Sequence, residues 1–522
     1  MATLNSIQNV HVLISHRSTY GAPRTIDDIL AGPVSGDLLC LLSALSFDKD
    51  EEKRFRSWSW ANLPAFRKES DTLSGNSGVV FGSLQIFECW KQLLARAGTL
   101  QVAAQSRVEL AGVLHELFAT INDQEDEGNF PQYVAKSSIH FSRDDRVFKL
   151  YRAQKIFLDG KHVAPYVEAF ERKNGFTVEM YLYVIFSIIK RCYSMQKGAS
   201  FDPVKVDKWI IDLNEVSSDL KIDLKTLQKI MSEIAFTVDD GVALMSTEEG
   251  SAASFQLFRS HPFLQLSDTC FLPIEGKLVE ELLFDNLLHR IHQVAGVGMQ
   301  FFADFGRDFE DYTQGLIEKF CSSNNQISYE YIQEFKFGKS NSLSPDAMVR
   351  CDADKTVISF EVKSARYLDS LLTSADTPEG VGDSFEKLRF KPWEQMYDAM
   401  GRIIGGNQHV RLTKDLSHLF VAITMNEIPI SMQDYQVNIA DIDQSRAFYS
   451  FGIHTFERLL ITANATGKYP LSAILHRAFD KRLEISNRTT FLRVERTERG
   501  SSELERQIKD ETIQRLLTSQ RR

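Results

Sequence analysis

The chain has no cysteines at CxxC spacing: Cys40, Cys89, Cys192, Cys270, Cys321 and Cys351 are widely scattered. This argues against a zinc module and against a disulfide framework, and fits reduced thiols in a cytoplasm. Missing too is a basic start followed by an apolar core within Met1–Arg17, so no secretory leader is expected. No apolar run reaches membrane length. The longest, Met180–Ile189, is about half of a span and is bounded by Glu179, Lys190 and Arg191, which predicts a buried helix and no membrane partner. The mainly helical stretch before Ser246 shows no internal repeat or low-complexity tract either. Positive charge is not in excess, since the formal net charge is -10. Any polyanion must therefore be held by a local groove rather than by a basic coat.

What the chain does have is the composition of an ordinary globular protein, 43% hydrophobic and 25% charged, with 36 Phe and 15 Tyr to fill cores. Its 522 residues exceed what one core supports, so two or three domains are expected. Polar interruptions fall at Arg67–Gly78, Asn122–Asn129 and Ser246–Ser254. Using the second and third as breaks gives a helical domain over 1–128 and a second mainly helical region over 129–295 with a linker near 246–254. A further domain follows over 296–485, and then a charged helix over 486–522. In the last of these Leu504, Ile508, Ile513 and Leu516 lean to one side, suited to docking or dimerising. Within 201–236 a helix-turn-helix can be drawn, but the lack of a basic recognition helix favours a packing bundle. His289 and His292 stand three apart on a helical stretch with no acidic third ligand, which favours a structural or surface role.

The chemistry is concentrated further on. Phe305, Phe309, Tyr312, Leu316 and Phe320 recur at helical spacing, with Glu310 beside that apolar face. Tyr329, Tyr331, Phe335 and Phe337 then alternate with Glu330, Glu334 and Lys336, a half-buried strand. After a turn at 339–344, Pro345-Asp346 opens a second strand, and Thr356–Lys363 forms a third. On that third strand Val357, Ser359, Glu361 and Lys363 share one side, while Ile358, Phe360 and Val362 share the other. Asp346 at the head of the neighbouring strand brings two carboxylates together. Such a pair resists joint ionisation unless a cation lies between them, and hard oxygen ligands point to Mg²⁺ or Mn²⁺. A helix starts at Pro392 and runs through Trp393, Met396, Tyr397, Met400 and Ile403, and Leu419–Ile423 is a buried strand.

Pro345-Asp346, fourteen residues, then Glu361-Val362-Lys363, set in this order of elements, resembles the PD-(D/E)xK nuclease superfamily, the restriction-endonuclease-like fold. The resemblance spans about a third of the chain. It implies an α/β fold with a mixed-sheet αβββαβ core, preceded by the mainly helical N-terminal region. It further implies that Asp346, Glu361 and the Val362 carbonyl hold the metal and that Lys363 positions or activates the attacking water. Glu310 would be an auxiliary acid, and Gln395 would orient Lys363 or the phosphate. Tyr397 follows Gln395 at the wrong spacing for the glutamine motif of exonuclease-like members, which puts exonuclease behaviour in doubt.

The alternation of basic and apolar residues over Phe385–Trp393 fits backbone tracking by Lys387, Arg389 and Lys391, with Lys336 and Lys339 on the strand and turn before. The rival reading is a loop with a hydrophobic underside. Thr373–Gly382 reads as a mobile loop near the mouth of the site. The expectation is therefore a cytoplasmic, metal-dependent nuclease, an endonuclease with DNA favoured over RNA. Its N-terminal region would sense a trigger or bind a partner, or join with the C-terminal helix in forming a homo-oligomer, an arrangement that resembles bacterial antiviral defence nucleases. The alternative is a non-enzymatic platform of the same fold that binds nucleic acid or protein.

Overall fold

A computed structural model describes residues 12–30, 34–47, 50–70, 78–97, 106–124, 145–195, 200–204, 209–247, 256–296, 298–364, 386–426, 447–467, 469–479 and 502–519. The chain is mixed α/β and divides into two compact units. One comprises Ile7–Arg143 with Glu171–Arg290, the other Asp144–Phe170 with Ile291–Arg522. The N-terminal region, expected as two parts meeting near 128, thus clusters as one unit. Residues 144–170 belong with the C-terminal part.

The first unit is built on helices Gly36–Ser46, Glu51–Asn62, Ser83–Ala95 and Arg107–Gln124, with Leu39, Leu42, Phe55, Trp90, Leu114 and Phe118 fully buried. Ser35 caps the first of these by accepting from the Leu38 amide. The apolar run at 180–189 lies in helix α1 (Val178–Met195), where Tyr181, Leu182, Val184, Ile185, Ile188 and Ile189 are buried. Among the described residues no helix is long and apolar enough to cross a membrane.

After α1 come strand β1 (Ile211–Asp212), helix α2 (Leu213–Leu220), helix α3 (Leu224–Ile234) and strand β2 (Ala235–Thr237), followed later by the hairpin β3 (Phe263–Gln265) and β4 (Cys270–Pro273). These strands form a small sheet in the order β1-β4-β3-β2, antiparallel except for β2 with β3. The expected packing bundle is thus replaced by two short helices clasped by a sheet. Short β-rich runs of three or four apolar residues were too brief to separate from helix by periodicity.

The second unit is organised around helix α4 (Gly298–Ser323) and strands β5 (Tyr329–Gln333), β6 (Ala347–Cys351) and β7 (Thr356–Lys363). Helix α5 (Lys391–Gly405) leads to strands β8 (Ser417–Thr424) and β9 (Phe448–Gly452), and helix α6 (Ile453–Thr466) follows. The spatial order is the chain order, β5-β6-β7-β8-β9. β6 runs antiparallel to both neighbours, while β7, β8 and β9 are parallel. On one face Ile332, Met348, Val357, Phe420 and Ala422 pack with Trp393, Met396, Met400 and Ile403 of α5. On the other, Phe360 meets Phe456 of α6 edge to face and Tyr329 meets Phe320 of α4.

The segment 144–170 is bound into this unit by a buried ion pair. Both Nε and Nη2 of Arg152 donate to Glu457, at 2.9–3.0 Å, and the Tyr312 hydroxyl donates to the same carboxylate at 2.6 Å. The C-terminal helix α7 (Glu503–Ser519) docks in the same unit, with Leu504 and Ile508 fully buried and Glu511 ion-paired to Lys155 and Lys319. Of the apolar stripe expected there, only Ile513 stays exposed.

Candidate active site

The ladder between β5 and β6 pairs Gln333 with Ala347, and the ladder between β6 and β7 pairs Ala347 with Phe360. Carrying each register one residue further sets Glu334 beside Asp346, and Asp346 beside Glu361. Adjacent strands are about 4.8 Å apart and alternate residues share a face, so the three carboxylates form a row across three strands. That row continues the face of Ile332, Met348 and Val357, which is the face covered by α5.

A bulge aims the middle member. Beyond the row the same two segments pair as Phe337 with Ser342 and Lys336 with Leu343, and the Ser344 amide donates to the Phe335 carbonyl at 2.9 Å. Between these pairs and Gln333–Ala347 lies one residue on one strand, Glu334, and two on the other, Pro345 and Asp346. Two residues opposing one is a β-bulge, a device that re-aims side chains. Proline, with no amide to give the ladder, is tolerated at such a point.

The Asp346 carboxylate accepts the Val362 amide at 2.6 Å. Within a strand a residue's N–H and C=O point to the same side, so the Val362 carbonyl also faces the Asp346 side. Lys363 Nζ donates to Glu361 Oε1 at 2.8 Å. From α4, Gln314 donates through one nitrogen to Glu310 Oε1 at 3.1 Å and to the Asp346 carbonyl at 3.0 Å. One amide thus ties the helix carboxylate to the strand that carries Asp346.

The electrostatics show how crowded this corner is. Burial, with the charges of Glu361 and Glu310, pushes the Asp346 carboxyl up to about 8, against the Val362 amide and the Lys363 ammonium. Burial likewise raises Glu310, helped by Glu334, Asp311 and Glu361. It raises Glu334 as well, helped by Glu361. Four carboxylates gathered around one ammonium make this corner rich in oxygen ligands, and carboxylates so crowded resist joint ionisation.

Of the residues expected in the site, Glu310, Asp346, Glu361, Val362 and Lys363 come together. Gln395 does not. It is exposed near the start of α5, and among the described residues no hydrogen bond joins it to Lys363 or to the carboxylates. The apolar side of α5 claims Trp393 and Met396, which leaves Gln395 facing solvent. Lys336, Lys339, Lys387 and Lys391 are exposed, while the side chain of Arg389 and the loop 373–382 lie outside the described residues. The stretch before α5 combines both readings: Leu388 is buried and Phe390 packs edge to face on Trp393, while Lys387 stays exposed.

Sequence reasoning missed Glu334 and Gln314. Glu334 reads as one polar member of an alternating strand, and only the register reveals that it lies beside Asp346. Gln314 sits one helical turn after Glu310, a spacing that does signal a shared face.

A second cluster, His162, Asp308 and Asp311, brings three ligand-type atoms within 4.8 Å of one another. Here Asp308 already accepts the amides of His162 and Val163 at 3.0 and 2.8 Å, capping the helix Ala164–Asn174. That use is structural. The His292 ring packs at a tilt against Phe301 and Phe302. Comparison with protein-family models, with curated proteins and with solved structures gives no match to this chain.

Proposed function

We propose that the unit formed by 144–170 and 291–522 is a metal-dependent nuclease of the restriction-endonuclease-like fold, acting on DNA as an endonuclease. The observation that carries this reading is the row Glu334–Asp346–Glu361 with Lys363 beside it, at the ends of three adjacent strands of a five-stranded sheet. The element order, α4, three antiparallel strands, α5 and a strand parallel to the third, agrees with the αβββαβ core that the sequence motif implies.

The donor set suits a hard divalent cation. Asp346 and Glu361 would hold Mg²⁺ or Mn²⁺ together with the Val362 carbonyl. Bound there, the ion supplies Lewis acidity toward a phosphodiester and lowers the pKa of its water. The chain's own residues set the stage for this. The Val362 amide fixes the Asp346 carboxylate, Glu361 holds the Lys363 ammonium in place, and Lys363 offers a proton donor beside the scissile phosphate. Glu310, whose carboxyl burial raises above the usual carboxylate range, is suited to receive or return a proton.

The test is direct. Purified protein is incubated with plasmid, linear duplex and RNA in Mg²⁺, Mn²⁺ or EDTA. Cleavage of DNA that needs the metal and is lost in Asp346→Ala, Glu361→Ala and Lys363→Ala, each still folded, is the expected result. Folded protein with no cleavage of any substrate, but with nucleic-acid binding, would favour the non-enzymatic platform.

A further inference from the structure

The two short helices of the other unit carry a surface that the nuclease reading does not use. α2 ends at Leu220, Lys221 takes the left-handed conformation at φ 56°, and α3 starts after Asp223, so only three residues separate the helices. Asp212 caps α2, accepting the Asn214 amide, and Asp223 caps α3, accepting the Thr226 amide. Leu213, Val216, Leu227, Ile230, Met231 and Ile234 are buried beneath the pair. β1, the strand entering α2, pairs with β4, and β4 forms a hairpin with β3 whose tip is Leu266–Thr269. Gln228 of α3 donates to the Asp268 carbonyl at 3.4 Å, so the hairpin tip flanks the second helix as a wing.

Charge decides what this module fits. On the two helices the carboxylates are engaged: Glu215 and Asp219 by Arg191, Asp223 by its cap, and Glu233 by Arg290. Lys221, Lys225 and Lys229 are exposed and have no ion-pair partner among the described residues. Lys225, Lys229 and Ser232 fall on one face of α3, three and four residues apart, with Gln228 between them. Glu233, four residues after Lys229, borders that face and is paired with Arg290. The sequence alone gave no basic recognition helix because Asp223 and Glu233 flank these lysines. In the structure Asp223 caps α3 and Glu233 pairs with Arg290, so among the described residues neither forms an ion pair with these lysines.

We propose that α2 and α3, with the β3–β4 hairpin, form a duplex-DNA-binding helix-turn-helix. α3 enters the major groove, and the Leu266–Thr269 tip lies against the neighbouring backbone. A second helix presenting its N-terminal half to base edges is the docking geometry of such motifs. Lys225 and Lys229 contact phosphates, and Gln228, whose amide can pair bidentately with adenine, reads a base. This site is separate in sequence from Asp346 and Glu361 and does not depend on their chemistry.

The test uses the full chain in EDTA, with a labelled random-sequence 30-base-pair duplex and its single strand, read by fluorescence anisotropy over a salt series. Lys225→Gln/Lys229→Gln is compared with Lys414→Gln and with the parent. Two lost phosphate contacts lower the slope of log affinity against log salt by about 1.8, which is up to about 60-fold in affinity at 0.1 M salt. Lys414→Gln, an exposed lysine of the other unit, is the control expected to keep the parent's slope. Gln228→Ala is expected to keep the slope while losing the sequence preference recovered from the random pool. Circular dichroism melts confirm folding, since all three positions lie outside the core. An unchanged affinity and slope in the double variant, or binding no tighter to the duplex than to the single strand, would overturn the proposal. A slope lowered as much by Lys414→Gln would overturn it too, by taking the binding away from α3.

Discussion

Metal binding at the carboxylate row is expected to release a proton, and the amount can be worked from Asp346. Its carboxyl is raised to about 8 by burial and by Glu361 and Glu310. At pH 6.5 about 97% of the metal-free protein then carries that proton, and at pH 9 about 9%. A cation held by the carboxylate must displace it. Log affinity for Mn²⁺ therefore rises by about one unit per pH unit below 8 and levels off above. Titration calorimetry in two buffers of different ionisation enthalpy counts the protons: close to one per ion at pH 6.5, close to none at pH 9. The same shift sets a sign for stability. Between an unfolded value of about 3.9 and about 8, the folded metal-free chain holds a proton that the unfolded chain has lost. Stability without metal thus falls as pH rises through that window. Asp346→Asn removes the effect, so its melting temperature gains on the parent's as pH goes from 5 to 8. Metal affinity independent of pH between 5.5 and 7.5, or an Asp346→Asn protein that gains nothing over the parent at pH 8, would refute the crowded-carboxylate account.

Other expectations follow from the same geometry. Phe360→Ala, on the apolar face against Phe456, is expected to cost about 3–5 kcal/mol in denaturant unfolding, whereas Glu361→Ala stays folded; the reverse would mean the strand faces are exchanged. Removing Glu334 by Glu334→Gln is expected to bring the Glu310 carboxyl down, followed by NMR titration, and to weaken metal affinity, measured by the same calorimetry, and no change in either would place Glu334 outside the site. Arg152→Ala leaves Glu457 buried without its cation, a loss of about 3–5 kcal/mol, so a fragment beginning at 296 is expected to be far less stable than one that includes 144–170. Replacing Lys387, Arg389 and Lys391 together by Gln is expected to lower the salt slope of binding at the nuclease site by about 2 to 3 units, and an unchanged slope assigns that segment to packing alone.

Much of the second unit was legible because its strongest signals are local. The third strand spans 356–363 as expected, since alternation over eight residues bounded by polar turns has few other readings. The helix with Glu310 and the helix from Pro392 follow from apolar spacing at threes and fours. What the sequence hid depends on distant partners. β9, with Phe448–Gly452, is a short apolar run that only becomes a strand by pairing with β8. The place of 144–170 is set by partners far along the chain, among them the buried ion pair between Arg152 and Glu457, residues separated by 305 positions. Neither partner announces the other. The C-terminal helix was visible as a helix, but its docking through Leu504 and Ile508, with Glu511 shared by Lys155 and Lys319, is set by tertiary contacts.

The site shows the same division more sharply. Asp346, Glu361 and Lys363 could be found because their motif is linear, and Glu310 because it borders an apolar helix face. Glu334 could not, because its role depends on a register that the bulge at Pro345-Asp346 shifts by one residue. A shift of one in pairing exchanges the faces of a strand. With regular pairing carried through from the 336–343 end, Glu334 would oppose Pro345 and Asp346 would oppose Gln333. The bulge is what brings Glu334 and Asp346 side by side beyond a regular ladder. Proline at 345 is thus more than a motif letter. Its missing amide leaves that strand position without a donor, the bulge absorbs the gap, and the middle carboxylate of the row is brought to the Val362 amide. A substitution at 345 that restores the amide, Pro345→Ala, is accordingly expected to loosen the Asp346–Val362 contact without touching any ligand atom. It would lower metal affinity while the melting temperature without metal stays near the parent's. If affinity is unchanged, the proline is incidental and the bulge is fixed by the Ser344–Phe335 hydrogen bonds instead.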